Sequence, residues 1–280
     1  MEKPEFIWLN EELVPLSQAR VSVNDRGFQY GDGFFETLRA EKGRPLFLAE
    51  HLARLRAAAQ AFRIPWPQGF SWEERLGQLL AANGLEEGLA RVKVLYTRGD
   101  AAGLGLPQEA RPTLVIWAQP YTPPSLEEYA RGWTVATFPE RRSTFLGRYK
   151  SLNYLFYLAA RQYALDQGAQ EALILEADGL VSEGAATSLI YAQAGNFYIP
   201  EAPSALPGVT CAVLGRGLAR RGFSLKTVPT TPLQLSQADG LWLANSLMGV
   251  MPVSSLDGRG LPISEATGLL QECLKSEEQA

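Results

Sequence analysis

The chain has 280 residues, 46% hydrophobic and 20% charged, the composition of an ordinary globular protein of one large or two modest domains. One histidine excludes any Ser-His-Asp or Cys-His site that does not use His51, and any zinc site with two His ligands; two cysteines, Cys211 and Cys273, are too few for a cysteine-rich metal centre or a disulfide scaffold. The net charge of −4 disfavours sequence-independent nucleic-acid binding, and no apolar run reaches the ~20 residues of a membrane span.

The opening MEKPEFIWLNEELV has no apolar core of the signal-peptide kind, so with the sparse cysteines it points to a cytoplasmic protein. Phe6–Leu9 and Leu13–Val14 read as a hairpin around Asn10, and Phe34–Ala40 with Arg44–Phe47 as another turning at Lys42-Gly43. Leu52, Leu55, Ala59 and Phe62 recur at helical spacing, which predicts a helix over Leu48–Phe62; a second is expected over Trp72–Asn83. Arg91–Tyr96 and Thr113–Ala118 read as strands. Prolines 120, 123 and 124 stop helix and sheet alike. They predict a small α+β domain over 1–119, a linker over 120–125 and a larger mixed α/β domain over 126–280. In that second part, strands are expected at Trp133–Phe138, Ala172–Glu176, Ser188–Ala192, Asn196–Ile199 and Leu241–Ala244. Helices are expected from Leu152 to about Asp166, from Pro207-Gly208 to near Gly222, and over Ser264–Leu274.

Among six lysines, Lys3, Lys42, Lys226 and Lys275 sit in polar or terminal contexts, and Lys93 alternates on a strand and is expected to face solvent. Lys150 differs, because it stands where an irregular segment meets an apolar helix. Desolvation there would lower its pKa and suit it to form a Schiff base; the bland alternative is a helix-start lysine with its head in water. Glu183 precedes the small-residue run Gly184-Ala-Ala, which lets another group approach the backbone. Leu206-Pro-Gly-Val-Thr210 opens a helix, and reads either as a plain helix start or as an anion site. Tyr30-Gly-Asp-Gly-Phe-Phe-Glu36 lacks the third glycine of a dinucleotide loop and precedes a strand, so that reading is rejected.

In this order, Asp25–Glu36, Glu50-His-Leu-Ala-Arg-Leu55, the Lys150 segment, Glu183-Gly184, Leu206–Thr210 and Asn245–Val253 resemble the fold-type IV enzymes that use pyridoxal 5'-phosphate. The resemblance implies that Lys150 anchors the cofactor and moves the proton, and that Glu183 pairs with the pyridine nitrogen. It gives the phosphate to Arg54, the backbone of Val209 and Thr210, the Thr210 hydroxyl and Ser246, and the ring hydroxyl to Tyr154. Asn245, Arg98 and Tyr30 would face the substrate, a small amino compound. No metal is implied, and a homodimer is expected. His51, one turn before Arg54, is expected to be a helix-packing residue.

Asn245-Ser-Leu-Met-Gly-Val-Met-Pro-Val253 is similar to the aminodeoxychorismate lyase version of that segment. A lyase would release pyruvate and form 4-aminobenzoate for folate synthesis. The alternative is a class IV transaminase of D-amino acids, branched-chain L-amino acids or (R)-amines. Leu104 stands where many lyases carry an arginine, and Asp100 where D-amino-acid aminotransferases carry a basic group; Arg98 remains as the cation of this loop.

Overall fold

From Gly33 to Glu41 one alternating set, Phe34, Glu36, Leu38 and Ala40, is buried throughout, and this strand organises the first part of the chain. The computed structural model describes residues 5–107 and 109–279, so Lys3 lies outside the described residues. The chain divides into two compact units: Met1–Thr122 with Tyr149–Asn153, and Pro123–Arg148 with Tyr154–Ala280. The fold is mixed α/β.

In the first unit, β1 (Phe6–Leu9), β2 (Glu12–Pro15), α1 (Arg26–Tyr30), β3 (Gly33–Glu41), β4 (Arg44–Pro45), α2 (Leu48–Ala61), α3 (Trp72–Ala82), β5 (Leu89–Asp100) and β6 (Arg111–Pro120) follow in order. Among the described residues the strands form one antiparallel sheet, ordered β2-β1-β6-β5-β3-β4. Phe34, Leu38, Val92, Val94 and Ile116 line one face and pack with Leu55 and Ala59 of α2 and Leu76, Leu79 and Leu80 of α3. Each such aliphatic side chain contributes about 1.5–3 kcal/mol on burial. The opposite face carries Phe35, Thr37, Lys93 and Trp117, because Thr37 pairs with Lys93 and Lys93 with Trp117.

Tyr149–Asn153 continues this unit. The Phe35 N–H donates to the Lys150 carbonyl at 2.8 Å and the Leu152 N–H to the Gly33 carbonyl at 3.0 Å. Tyr149 packs its ring on Phe34 and Phe62. The helix expected from Leu152 starts at Leu155, since the chain through Ser151 and Leu152 is still paired with β3 as an extended segment.

The second unit runs α4 (Leu126–Arg131), β7 (Trp133–Thr137), α5 (Leu155–Asp166), β8 (Glu171–Leu175), β9 (Val181–Gly184), β10 (Ser188–Gln193), β11 (Asn196–Pro200), α6 (Val209–Arg220), β12 (Leu225–Val228), α7 (Pro232–Ser236), β13 (Gly240–Asn245), β14 (Gly249–Leu256), β15 (Arg259–Gly260) and α8 (Ala266–Glu278). Among the described residues its strands form one sheet, β12-β11-β10-β13-β14-β7-β8-β9, with β15 paired to β14. Strand β14 joins two blocks, antiparallel to β13 and parallel to β7. The β9–β10 turn brings Gly184 so close to Thr187 that a Cβ at Gly184 would overlap the Thr187 hydroxyl. Among the described residues no helix is long and apolar enough to cross a membrane.

Candidate active site

Lys150 is half-buried in the first unit, its Nζ 4.7 Å from the centre of the Phe35 ring. Its backbone is fixed by the pairing with β3 described above. Arg54, on α2, meets Glu36 of β3 through a bidentate pair, with Nε and Nη2 both donating at 2.7 Å. His51 completes the group, its Nδ1 2.7 Å from Glu36 Oε2. The histidine lies on the buried face of α2, as expected, but it also serves this carboxylate. Burial alone would raise the Glu36 carboxyl; Arg54 first and His51 second overcome it and hold it down to about 2. Glu36 is the residue that fixes how Arg54 is presented.

Arg98, expected to face the substrate, is enclosed within this unit. It is 0% exposed, and all five of its N–H groups are engaged: two on Asp32, and the others on the carbonyls of Phe62, Arg63 and Pro107. Asp32 binds Arg26 as well, and Arg26 holds the carbonyls of Gly103 and Gly105, leaving Leu104 86% exposed. Tyr30 is exposed at the end of α1, with the Arg26 guanidinium 5.3 Å from its ring centre. Lys93 departs from its expected exposure. It is half-buried, its Nζ 4.9 Å from the Phe35 ring and 5.5 Å from that of Trp117. Burial first, and the charge of Arg91 second, push its ammonium below the usual lysine range.

Glu183 ends β9 in the second unit and is buried. Its Oε1 accepts from Arg142 Nη2 at 2.5 Å and from the Tyr157 hydroxyl at 2.7 Å, and its Oε2 from the Leu206 N–H at 3.0 Å. Sequence reasoning missed both side-chain partners. Burial, then the Glu183 charge, pushes the Tyr157 phenol well up, so it stays a donor. Tyr154 stacks on Tyr157 at 4.7 Å and donates its hydroxyl to the Ala185 carbonyl at 3.0 Å. Its phenol is raised likewise, by burial first and Glu183 second.

Helix α6 begins at Val209 and Thr210, both buried, behind Gly208, which supplies no side-chain cap. The first N–H groups of the helix are thus not taken by a capping side chain, and the positive end of the helix dipole lies there. A Cβ at Gly208 would stand 2.5 Å from the Ser188 hydroxyl, so only glycine fits without a shift. Asn245 closes the β13–β14 turn. Its Oδ1 accepts from the N–H groups of Leu247 and Met248, and its amide nitrogen donates to the Ala186 carbonyl. The oxygen is therefore spent on the turn. Ser246 is half-buried in the same turn.

The profile of the amino-transferase class IV family matches residues 33–256. A provisionally assigned branched-chain-amino-acid aminotransferase of Methanocaldococcus jannaschii is 32% identical over 278 residues, spanning 96% of this chain and 95% of its own. The aminodeoxychorismate lyase of Bacillus subtilis is 29% identical over 279 residues, spanning 97% and 94%. Among solved structures, a T.th. branched-chain amino acid aminotransferase with pyridoxamine 5'-phosphate superposes with a TM-score of 0.87 at 26% identity, over 100% of this chain and 96% of that one.

Proposed function

We propose, because the chain belongs to the amino-transferase class IV family, that it is a pyridoxal-phosphate-dependent lyase that converts 4-amino-4-deoxychorismate to 4-aminobenzoate and pyruvate. The observation that carries the choice of reaction is the lyase-like segment Asn245–Val253, whose Asn245 side chain caps the β13–β14 turn by accepting from the Leu247 and Met248 N–H groups. Arg98 adds weight by elimination: its donors are spent, so the D-amino-acid aminotransferase use of that arginine finds no donor here.

Pyridoxal phosphate is the cofactor of this family, and the residues present suit it. A buried carboxylate that is held by an arginine matches a pyridinium, an uncapped helix start matches a phosphate, and a half-buried lysine on an aromatic ring matches an aldehyde carbon. When bound, the cofactor supplies an electron sink for bond breaking next to the substrate's amine-bearing carbon. Lys150 would anchor it, and its Nζ would take the proton from that carbon. Glu183 keeps a proton at the pyridine nitrogen. Arg54, the N–H groups of Val209 and Thr210, the Thr210 hydroxyl and Ser246 bind the phosphate, and Tyr154 meets the ring hydroxyl. Lys93 takes a substrate carboxylate, because a cation half-buried on Phe35 shares that ring with Lys150. Aromatisation drives the elimination, so the protein has only to position the substrate and move protons.

The transaminase reading keeps one support of its own, the branched-chain aminotransferase assignment of the 32%-identical relative. A substrate panel decides. The lyase reading expects pyruvate and 4-aminobenzoate from aminodeoxychorismate, with a yellow protein that borohydride bleaches. Amino transfer from D-alanine, L-leucine or (R)-amines to 2-oxoglutarate, without 4-aminobenzoate, overturns it. We also take the protein to be a cytoplasmic homodimer. Exposed Val23, Phe28, Tyr30 and Leu104, with Leu104 pinned outward by Arg26, support a contact with a second copy. Analytical ultracentrifugation that finds only monomer refutes the dimer.

A further inference from the structure

Arg98 and Arg142 are each held by a carboxylate and by carbonyls, and they differ in how completely they are satisfied. Every N–H of Arg98 has an acceptor. Arg142 is almost as buried, yet its Nε is buried without a hydrogen-bond partner. An orphaned donor costs about 1–3 kcal/mol, so Arg142 is not placed to maximise stability.

Its surroundings fix it nonetheless. The guanidinium carbon lies 4.6 Å from the Tyr157 ring centre and 5.4 Å from that of Phe156. Its Nη2 reaches Glu183, the Tyr157 hydroxyl and the Ser204 carbonyl. A Cβ at Gly147 would overlap the Ser204 carbonyl and approach Arg142 Nη1 to 2.8 Å, so the pocket around the guanidinium depends on that glycine. The Arg142 backbone bridges to Glu176, whose carboxylate binds the hydroxyls of Ser143, Ser182 and Ser204. The scaffold thus holds the segments that carry Arg142 and Glu183 in one register.

Resting on the cofactor assignment above, we propose that Arg142 is a positioning residue which, with Tyr157, keeps the Glu183 carboxylate anionic and oriented, so that the proton shared with the cofactor's pyridine nitrogen resides on the ring and not on Glu183. A buried carboxylate with no cation beside it favours its neutral form and would keep that proton. The guanidinium and the phenol donor both make the carboxylate a weaker base. The proton then stays on the nitrogen, where it strengthens electron withdrawal. Other ionisable groups near this carboxylate include Tyr154, stacked on Tyr157, and Glu171, whose charge acts on Tyr154. Glu171 is itself pushed toward its neutral form by burial, which Arg161 only partly opposes, so the charge that compensates Glu183 at contact distance is that of Arg142.

The test is the nitrogen-15 resonance of labelled pyridoxal phosphate bound to the full chain at neutral pH. In the wild-type protein the ring nitrogen is expected to be protonated. In Arg142→Met the ratio of ring-protonated to carboxylate-protonated forms is expected to fall by about 10- to 1000-fold, the range over which an adjacent opposite charge moves a carboxylate. Arg142→Lys should restore most of it, and Tyr157→Phe should shift the resonance in the same direction by less. An Arg142→Met protein that binds the cofactor with its nitrogen as protonated as in wild type overturns the proposal. If that variant fails to fold, by circular dichroism, Tyr157→Phe decides, and an unmoved resonance there overturns it equally. Wild-type protein with bound cofactor and an unprotonated nitrogen refutes this inference together with the role given to Glu183 and leaves the cofactor assignment standing, whereas wild-type protein that takes up no cofactor refutes the proposed function.

Discussion

Each unit buries a carboxylate against an arginine, with the acid the deeper partner in both, and the two pairs differ in what anchors them. In the first unit Glu36 is the deeper partner, at 1% side-chain exposure against 13% for Arg54, and it takes both N–H groups of a bidentate fork. The acid is a fixed socket and the arginine is what it presents. In the second unit Arg142 is anchored by two aromatic rings and a carbonyl, and Glu183 is what it presents. One arrangement offers a cation, the other an anion.

The comparison sets an order of expected effects. The largest belongs to neither pair: Lys150→Ala should lower turnover by roughly 10³-fold or more and abolish the borohydride-sensitive absorbance, which marks the limit either arginine can approach. Breaking the first socket comes next. Glu36→Leu leaves Arg54 and His51 without their acid and should cost about 3–5 kcal/mol in urea unfolding. A pH series sharpens this. The folded Glu36 carboxyl lies at about 2, below its ordinary 4.5, so its contribution is full above about pH 4.5 and is lost as the pH falls toward 2. It amounts to roughly 3 kcal/mol, and Glu36→Gln should flatten that acid limb. An acid limb unchanged by the substitution would mean that Glu36 is not the socket described.

Arg98→Met serves as the control for a purely structural arginine. It should destabilise by about 3 kcal/mol, because three carbonyls and Asp32 lose donors, while KM in protein that remains folded is unchanged. A raised KM there would return Arg98 to the substrate. Lys93→Met is the smallest and most diagnostic. It should raise KM by about 10-fold, the loss of one charge-assisted contact, with stability unchanged or improved because a desolvated ammonium is removed. A loss of stability with unaltered KM would make Lys93 a packing residue.

Much of this was legible in the sequence because it is local. Lys150, Glu183 and the α6 start each sit in short segments whose residue types carry their chemistry. What was missed is mostly non-local. Arg142 lies 41 positions from Glu183, and nothing near Arg141-Arg142 marks one of the two as buried. Lys93 alternates as a solvent-facing strand residue would, but its face of the sheet is paved by Phe35 and Trp117, which only the register discloses. The helix after Lys150 starts three residues later than its apolar spacing predicts, because that spacing cannot show that Ser151 and Leu152 pair with β3. Two misses were avoidable. Ser125-Leu-Glu-Glu128 and Thr231-Pro-Leu-Gln234 are capping boxes, which announce the helix starts of α4 and α7. The run Gly249–Val253 reads in the sequence as part of a motif. It is also a strand buried on both faces, which shows no alternation to detect.

The place of β14 in its sheet bears on how this chain comes to be folded. The strand lies between β13 and β7, yet it is made after both, more than a hundred residues downstream of β7. During synthesis, which proceeds from the N-terminus, the β7 edge that carries Val135 stays unpaired until residues Gly249–Leu256 emerge. Such long-range parallel pairing is slow to form, and an open apolar edge is a template for pairing with other chains. The nascent second unit therefore spends its longest exposed interval waiting for its middle strand, and a chain truncated before Gly249 would leave two open edges, on β13 and on β7, in place of a sheet interior.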